Sequence, residues 1–232
     1  MFKKKKKNIN QKTARQLITV ATPKSIISEQ FRTIRTNLTF SLPDENLRTL
    51  FFTSASPIEG KSTISANTAV TFAQAGKKVL FVDADMRKPT VHYTFRLPNA
   101  AGLSTVLTKQ ITLDEVIRKT DIENLSVITS GPIPPNPSEL LGSKMMIDFL
   151  DMLKEKFDLI VFDAPPTLSV TDAQILSNKM DGTVLVIDAG YTEKESVIKA
   201  KELLVQADAK ILGVILNNYM NNSGQYYEYY GE

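Results

Sequence analysis

The sequence predicts a doubly wound α/β domain, in which helices cover both faces of a mostly parallel sheet. Six short apolar runs are spread along the chain, and segments with helical periodicity separate most of them. The runs are nearly continuous in Val, Ile and Leu, which is typical of strands buried on both faces. Alternation of such strands with helices favours parallel pairing through crossover helices.

The elements begin with an amphipathic helix over 25–40, in which Ile27, Phe31, Ile34 and Leu38 recur at helical spacing. The segment SLPDEN then ends this helix. Buried strands are predicted over the apolar runs 47–54, 78–85, 125–131, 158–166, 182–190 and 210–218. Further helices are predicted over 61–76, which Gly76 ends, and over 103–108, 112–119, 137–156, 171–179 and 193–207.

The composition limits the chemistry. The chain has 232 residues, no cysteine and one histidine, His92. Disulfides and Cys-ligated zinc or iron–sulfur sites are therefore excluded, and a His-rich metal site is disfavoured. No apolar run approaches the roughly 18 residues that span a bilayer, and the N-terminus lacks the apolar stretch of a signal peptide. We therefore expect a cytoplasmic protein.

The charge is unevenly placed. Residues 1–15 hold seven basic residues and no acid, and subtracting seven from the net charge of +3 leaves −4 for the remainder. A mildly acidic body with a basic arm is not the pattern of a nucleic-acid-binding surface, so no nucleic-acid partner is expected. The predicted organisation is a flexible basic arm over 1–22, a folded α/β domain over 23–218 and a flexible tyrosine-rich tail over 219–232. The run Lys3–Lys7 either attracts the arm to an acidic membrane surface or only keeps it soluble.

The segment SASPIEGKST (54–63) joins the first strand to the helix after it, as the phosphate-binding pattern G-x-x-x-x-G-K-[ST] requires. Ala55 replaces the opening glycine, but backbone N–H groups at a helix start still suit phosphates. Lys61 would contact the β and γ phosphates and Ser62 would ligate Mg²⁺. The alternative is an ordinary Gly-Lys-Ser turn that caps a helix. The candidate nucleotide-binding residues are Ser56, Pro57, Ile58, Glu59, Gly60, Lys61, Ser62 and Thr63.

Acidic residues follow two of the predicted strands. Asp83 and Asp85 lie at the end of one strand, and Asp163 at the end of another. Because ligands bind beyond the carboxyl ends of strands in open α/β sheets, these carboxylates should converge on the phosphate loop. They would hold Mg²⁺ or accept a proton, whereas a single Asp after a strand often only caps a helix. Arg87 and Lys88 either neutralise phosphate charge or form a solvated loop face.

With these motifs in this order, the chain resembles the bacterial tyrosine kinases, or BY-kinase family, and most closely the catalytic subunits of Gram-positive capsule and exopolysaccharide loci. Over residues 22–232, SASPIEGKST resembles the family's Walker A motif, VLFVDADMRKP its Walker A′ and LIVFDAPP its Walker B. SGPIPPNPSELLGS (130–143) is similar to a family loop and helix start. SEQFRTIRTNL contains the family's E-x-x-R-x-x-R oligomerisation motif as Glu29, Arg32 and Arg35. One departure is Ile58, where many members have glycine.

The resemblance implies a P-loop NTPase-like fold and transfer of the γ-phosphoryl group of ATP to tyrosine. Lys61 and Mg²⁺ would stabilise charge on the transferring group. Ser62, Asp83 and Asp163 would position Mg²⁺ directly or through water. Asp83 or Asp85 would accept the tyrosine proton, and Asp83 is the preferred base.

The resemblance also implies how the chain assembles and is regulated. Subunits would form a ring, in which Glu29, Arg32 and Arg35 contact a neighbour; the less favoured alternative is that the helix presents them to solvent. A membrane-anchored activator would recruit the kinase to the inner face of the membrane, a cognate tyrosine phosphatase would oppose it, and its protein substrates would control capsule or exopolysaccharide synthesis. Each tail would enter another subunit's site and offer the acceptors Tyr226, Tyr227, Tyr229 and Tyr230.

Three other functions remain as alternatives. A partitioning or division-site ATPase without kinase activity would share the strand order, but usually carries a second lysine where this chain has Ala55 and Ser56. A GTPase would need N-K-x-D, which LNNYMN (216–221) is not, although Asn217 could contact a base. A phosphotyrosine-regulated interaction protein with a purely structural nucleotide site would not need the acidic residues.

Overall fold

The computed structural model describes residues 15–42 and 47–219. Within these residues, one sheet runs in the order β3-β4-β2-β5-β1-β6-β7. All neighbouring strands pair in parallel except β3 and β4, which are antiparallel. The strands are β1 (Thr49–Ser54), β2 (Val79–Asp83), β3 (Arg118–Lys119), β4 (Leu125–Ile128), β5 (Leu159–Asp163), β6 (Gly182–Asp188) and β7 (Ile211–Asn217). The predicted mostly parallel sheet is confirmed.

Helices connect the strands and flank the sheet. None of those in the described residues is both long and apolar enough to cross a membrane. They are α1 (Ile18–Ala21), α2 (Ile26–Phe40), α3 (Lys61–Gln74), α4 (Val91–Thr94), α5 (Leu103–Leu107), α6 (Leu113–Val116), α7 (Pro137–Gly142), α8 (Lys144–Lys156), α9 (Asp172–Ser177) and α10 (Lys194–Gln206).

The central strands are buried on both faces. Side chains alternate along a strand, so Phe51 of β1 enters one apolar cluster and Phe52 enters the other. The first cluster includes Phe149 from α8, and the second includes Phe31 from α2 and Phe72 from α3. Helices therefore cover both faces of the sheet, as its continuous apolar strands predicted.

The edge strand β7 departs from that expectation. Its apolar run predicts full burial, but Val214 and Leu216 are 51% and 55% exposed. β7 is the last strand in the sheet order and pairs only with β6 in the described part of the chain. The apolar run therefore predicted the strand correctly but its burial wrongly, because burial depends on which elements pack against the strand.

Several predicted boundaries were wrong. The helix predicted over 137–156 is two helices, because Ser143 is extended and its side chain accepts a hydrogen bond from the Met146 N–H at the start of α8. The helix predicted over 112–119 ends at Val116, and the following residues form the unpredicted strand β3. The four-residue helix α4 was also not predicted.

The N-terminal segment is anchored where the sequence predicted a flexible arm. α1 lies within the predicted arm, and Thr19 is 1% exposed. The backbone N–H and the hydroxyl of Thr19 both donate to Asn67 Oδ1 of α3, at 3.1 and 2.9 Å. The expectation of a flexible arm is therefore wrong for residues 18–21, because polar contacts to α3 and the packing of Leu17 and Ile18 against an apolar cluster hold the segment. Residues 1–14 lie outside the described range.

The turn between β1 and α3 contains two residues in the left-handed region. Gly60 has φ +85° and precedes α3 directly. Ile58 has φ +72° and its side chain is 93% exposed. A β-branched residue is strained at positive φ because its side chain crowds the backbone. Because the Ile58 side chain is exposed, no free energy of hydrophobic burial offsets this strain.

We expect Ile58→Gly to raise the free energy of unfolding by up to about 1 kcal/mol. Relief of left-handed strain, about 1–2 kcal/mol, outweighs the extra chain entropy of glycine, about 0.5–1 kcal/mol. Ile58→Ala keeps the Cβ atom and should gain less. Urea unfolding of the three proteins tests this, and a greater stability for the alanine variant would contradict it.

We expect Thr19→Val to lower the free energy of unfolding by about 1 kcal/mol, because the hydroxyl bond to Asn67 is lost while the shape is kept. Thr36→Val on the exposed face of α2 is the matched control and should change little. Equal urea midpoints for the two variants would show that α1 is not anchored as described.

Candidate active site

The strand order brings the three sequence motifs together. β2, β5 and β1 are adjacent, and their carboxyl ends carry the VDADMRKP loop, the DAPP loop and the phosphate loop respectively. Asp83 of β2 lies directly beside Asp163 of β5 in the parallel register. The predicted convergence of these carboxylates on one sheet edge is therefore observed.

Lys61 is paired with Asp163. Its Nζ lies 2.7 Å from Asp163 Oδ1 and 3.1 Å from Ser62 Oγ. Lys61 is 7% exposed and Asp163 is 0% exposed. The Ser65 hydroxyl, one turn into α3, donates to the same Asp163 oxygen at 3.2 Å. The lysine of the phosphate loop thus neutralises the buried carboxylate of Asp163 at the end of β5.

The second oxygen of Asp163 is the feature that fits a cation. Oδ2 is buried and has no hydrogen-bond partner among the described residues. Within that part of the chain, no three His, Cys, Asp or Glu side chains gather as a metal site. Mg²⁺ is nevertheless suited to the place, since it takes one or two carboxylates and completes its shell with water and phosphate oxygens. Asp163 and the neighbouring Ser62 hydroxyl are the groups that fit it best.

Asp83 is enclosed and engaged with the backbone. It is 0% exposed. Oδ2 accepts the N–H groups of Thr90 and Val91 at 3.1 and 3.0 Å, and Oδ1 accepts that of Asp85 at 3.2 Å. Burial, together with the nearby charges of Asp163 and Asp85, raises the pKa of Asp83 to about 7, although the Val91 bond opposes this. Asp83 therefore holds the loop after β2 in place.

A cavity of about 490 Å³ opens above these groups. Of the predicted site residues, Pro57, Ile58, Glu59, Gly60, Lys61, Ser62 and Asp85 line it. Arg87, Lys88 and the two prolines after Asp163 line it as well. Ser56, Thr63, Asp83 and Asp163 lie outside its lining, and the last two are fully buried.

The buried side chain of Glu59 holds the phosphate loop in place. Its side chain is 1% exposed, and Oε2 accepts the Ser56 N–H at 3.0 Å. The Thr192 hydroxyl, after β6, donates to Oε1. The Asn217 amide donates to the Glu59 carbonyl at 3.1 Å, and a Cβ on Gly60 would lie 2.1 Å from that amide nitrogen. Asn217 thus packs on the loop and lines the groove between α2 and β7.

Arg87 is held by an acid that sequence reasoning missed. Its Nε and Nη2 each lie 2.9 Å from an oxygen of Asp172, which begins α9 and is 0% exposed. The bidentate pair ties the loop after β2 to the loop after β5. An Asp at a helix start usually signals only a cap, so no sequence signal identified the pair. Arg15 and Thr192 were also missed, because neither belongs to a motif.

The predicted oligomerisation residues make contacts within the chain. Arg32 Nη1 lies 2.6 Å from Glu29 Oε2, and both side chains are partly solvent-accessible. Arg35 donates to the Thr71 carbonyl of α3 at 3.1 Å. The predicted acceptors Tyr226, Tyr227, Tyr229 and Tyr230 lie outside the described residues.

Known proteins are similar to this chain in sequence. A family model described as an AAA domain matches residues 59–206. Tyrosine-protein kinase YwqD of Bacillus subtilis is 49% identical over 97% of this chain and 95% of its own length. The putative tyrosine-protein kinase CapB of Staphylococcus aureus is 48% identical over 90% of this chain and 92% of its own.

Solved structures show the same fold. The crystal structure of the chimerical protein CapA2B2 matches with a TM-score of 0.86 and 46% identity, covering 90% of this chain and 93% of that one. The cell division ATPase MinD of Pyrococcus furiosus matches less well, with a TM-score of 0.64 and 26% identity over 74% of this chain and 72% of its own. The predicted P-loop NTPase-like fold is confirmed. Because identity to the kinases is high and extends over nearly the whole chain, this chain belongs to the bacterial tyrosine-protein kinase family.

Proposed function

We propose that the protein is an ATP-dependent protein-tyrosine kinase that acts on tyrosines of other proteins and of its own tail. The observation that carries the proposal is the buried Lys61–Asp163 pair beneath the phosphate loop, with the orphan Asp163 Oδ2 beside it. Membership of a family whose relatives are named tyrosine-protein kinases supports the choice of acceptor.

The loop would bind the triphosphate through its backbone N–H groups and Lys61. When phosphates enter the cavity, Lys61 would leave Asp163 and contact the β and γ phosphates. Asp163 and Ser62 would then hold Mg²⁺. Asp83 would contribute indirectly, by positioning the loop after β2. The ion would supply charge neutralisation for the transferring phosphoryl group. This exchange keeps the buried Asp163 compensated both with and without ligand.

Of the two acidic residues after β2, Asp85 is the better proton acceptor. It lines the cavity and accepts the Lys88 N–H at 2.9 Å through Oδ1. Asp83 has both oxygens engaged by backbone donors and is fully enclosed, which weighs against the preference for Asp83 that the resemblance suggested. Asp85 would take the tyrosine proton, and Asp83 would position the loop that carries Asp85.

The substrates and partners follow from family membership. Acceptor tyrosines would include Tyr226, Tyr227, Tyr229 and Tyr230, presented to another subunit of a ring. Glu29, Arg32 and Arg35 would exchange contacts within the chain for contacts across that interface. A membrane-anchored activator would recruit the kinase to the inner membrane face, a tyrosine phosphatase would reverse its action, and capsule or exopolysaccharide synthesis would be the controlled process.

The partitioning-type ATPase switch is the second candidate. The likeness to MinD supports the shared fold, but its identity of 26% is well below that of the kinases. Ala55 and Ser56 stand where such ATPases usually carry a further lysine. The two functions differ in product, because the switch would release phosphate from ATP without modifying tyrosine.

We expect Lys61→Met to reduce tyrosine phosphorylation at least about 100-fold, because the charge that meets the transferring phosphoryl group is lost. Lys201→Met, an exposed lysine of α10, is the matched control and should label normally. The full chain is incubated with Mg-ATP, and phosphotyrosine is followed by mass spectrometry. Since the substitution leaves Asp163 buried without Lys61, circular dichroism checks folding.

Ser62→Ala supplies a variant that keeps the ion pair, and it should lower the apparent affinity for Mg²⁺ while leaving the fold intact. ATP hydrolysis without phosphotyrosine in the wild type, with the activating partner present, would favour the switch. Normal labelling by Lys61→Met would show that the site is misassigned.

The raised pKa of Asp83 predicts a stability profile for the protein free of metal and nucleotide. Because the folded state holds this proton more tightly than the unfolded chain, the free energy of unfolding should fall as pH rises from about 4 through about 7. Asp83→Asn should flatten the profile, and Asp121→Asn at an exposed position should not. Urea unfolding in EDTA at several pH values measures this, and equal slopes for Asp83→Asn and wild type would contradict it.

A further inference from the structure

We propose that Arg15 is a phosphate-binding residue of the active-site cavity. The ligand is a phosphoryl group, either the terminal phosphate of the nucleotide or the phosphate of a modified tyrosine. Arg15 lies outside every motif that identified the site, and it reaches the cavity from the N-terminal segment. The inference rests on the proposed function, because it assigns a further residue to the same site.

The segment that carries Arg15 is fixed to the phosphate-loop helix. Two residues of α3 hold it at Thr19: Asn67 accepts from the Thr19 N–H and hydroxyl, and Gln74 donates to the Thr19 carbonyl at 3.2 Å. Leu17 and Ile18 pack against the apolar cluster that includes α2 and α3. Arg15 is therefore four residues from Thr19, which is anchored to α3, the helix that begins at Lys61.

The guanidinium of Arg15 lies at the cavity wall. Arg15 lines the cavity together with Lys61, Lys88 and Thr90, and its Nη1 donates to Thr90 Oγ1 at 2.8 Å. The Thr90 N–H in turn donates to Asp83. Arg15 thus contacts the loop that Asp83 organises, in a cavity that the phosphate loop also lines.

Arg15 differs from the other cations of the cavity in its partners. Lys61 is paired with Asp163, and Arg87 is paired in bidentate fashion with Asp172. Among the described residues, Arg15 has no carboxylate within 4.0 Å, and its neutral bond to Thr90 uses one of five N–H donors. A planar guanidinium with unused donors matches two oxygens of a phosphate.

The test measures binding by the full chain with Mg²⁺ present. Dissociation constants are obtained for ATP, for ADP and for a phosphotyrosine peptide copying residues 219–232. Arg15→Gln should weaken the binding of ATP or of the phosphopeptide about tenfold, the range expected for a lost charge-assisted hydrogen bond, and leave the binding of ADP unchanged. Arg15→Lys keeps the charge without the fork and should recover part of the loss. Arg118→Gln, at an exposed position of β3, is the matched control and should bind like the wild type.

The pattern of losses identifies the source of the phosphate. Weaker binding of ATP with unchanged ADP assigns Arg15 to the terminal phosphate of the nucleotide. Weaker binding of the phosphopeptide alone assigns it to the modified tyrosine. Unchanged binding of all three ligands by a folded Arg15→Gln protein overturns the inference and leaves the proposed function intact. If the wild type binds no nucleotide, the proposed function itself fails, and the role of Arg15 fails with it.

Discussion

Two carboxylates buried side by side are the constraint on which the rest of this site depends. The parallel register of β2 and β5 sets Asp83 next to Asp163, and both are fully enclosed. Neighbouring buried negative charges are costly unless they are protonated, paired or hydrogen-bonded. The protein meets this cost in two ways: Lys61 neutralises Asp163, and three backbone N–H groups support Asp83.

This compensation also couples the ligand to the loops. A phosphate that engaged Lys61 would leave the buried Asp163 without its partner, so a positive charge at Asp163 would favour that exchange. Binding of nucleotide and of Mg²⁺ would thus be mutually dependent, without any third residue to couple them. Asp83 lies beside Asp163 and accepts hydrogen bonds from the loop that carries Asp85 and Arg87. It therefore links the charges of the site to that loop.

The loops around the cavity are tied to one another as well as to the sheet. Arg87 and Asp172 connect the loop after β2 to the segment after β5, and the Glu59 carboxylate connects the phosphate loop to the segment after β6. The Glu59 backbone carbonyl also accepts a hydrogen bond from Asn217 of β7. Both clamps use a buried acid, because a carboxylate accepts several bonds at once and anchors distant segments with one side chain. Arg15 adds the N-terminal segment to this arrangement through Thr90.

The sequence alone determined the fold class, the central strands and the motif residues. Apolar runs identify buried strands by their local pattern, and parallel strands bring their carboxyl ends to one edge, so Asp83, Asp163 and the phosphate loop could be placed together. Only the tertiary structure decided that Asp83 is enclosed while Asp85 faces the cavity, that Asp172 holds Arg87, that β7 is half-exposed, and that Thr19 anchors α1 and so brings Arg15 to the cavity. The Thr19–Asn67 and Arg87–Asp172 contacts join residues 48 and 85 positions apart, and neither periodicity nor a motif encodes contacts over such distances.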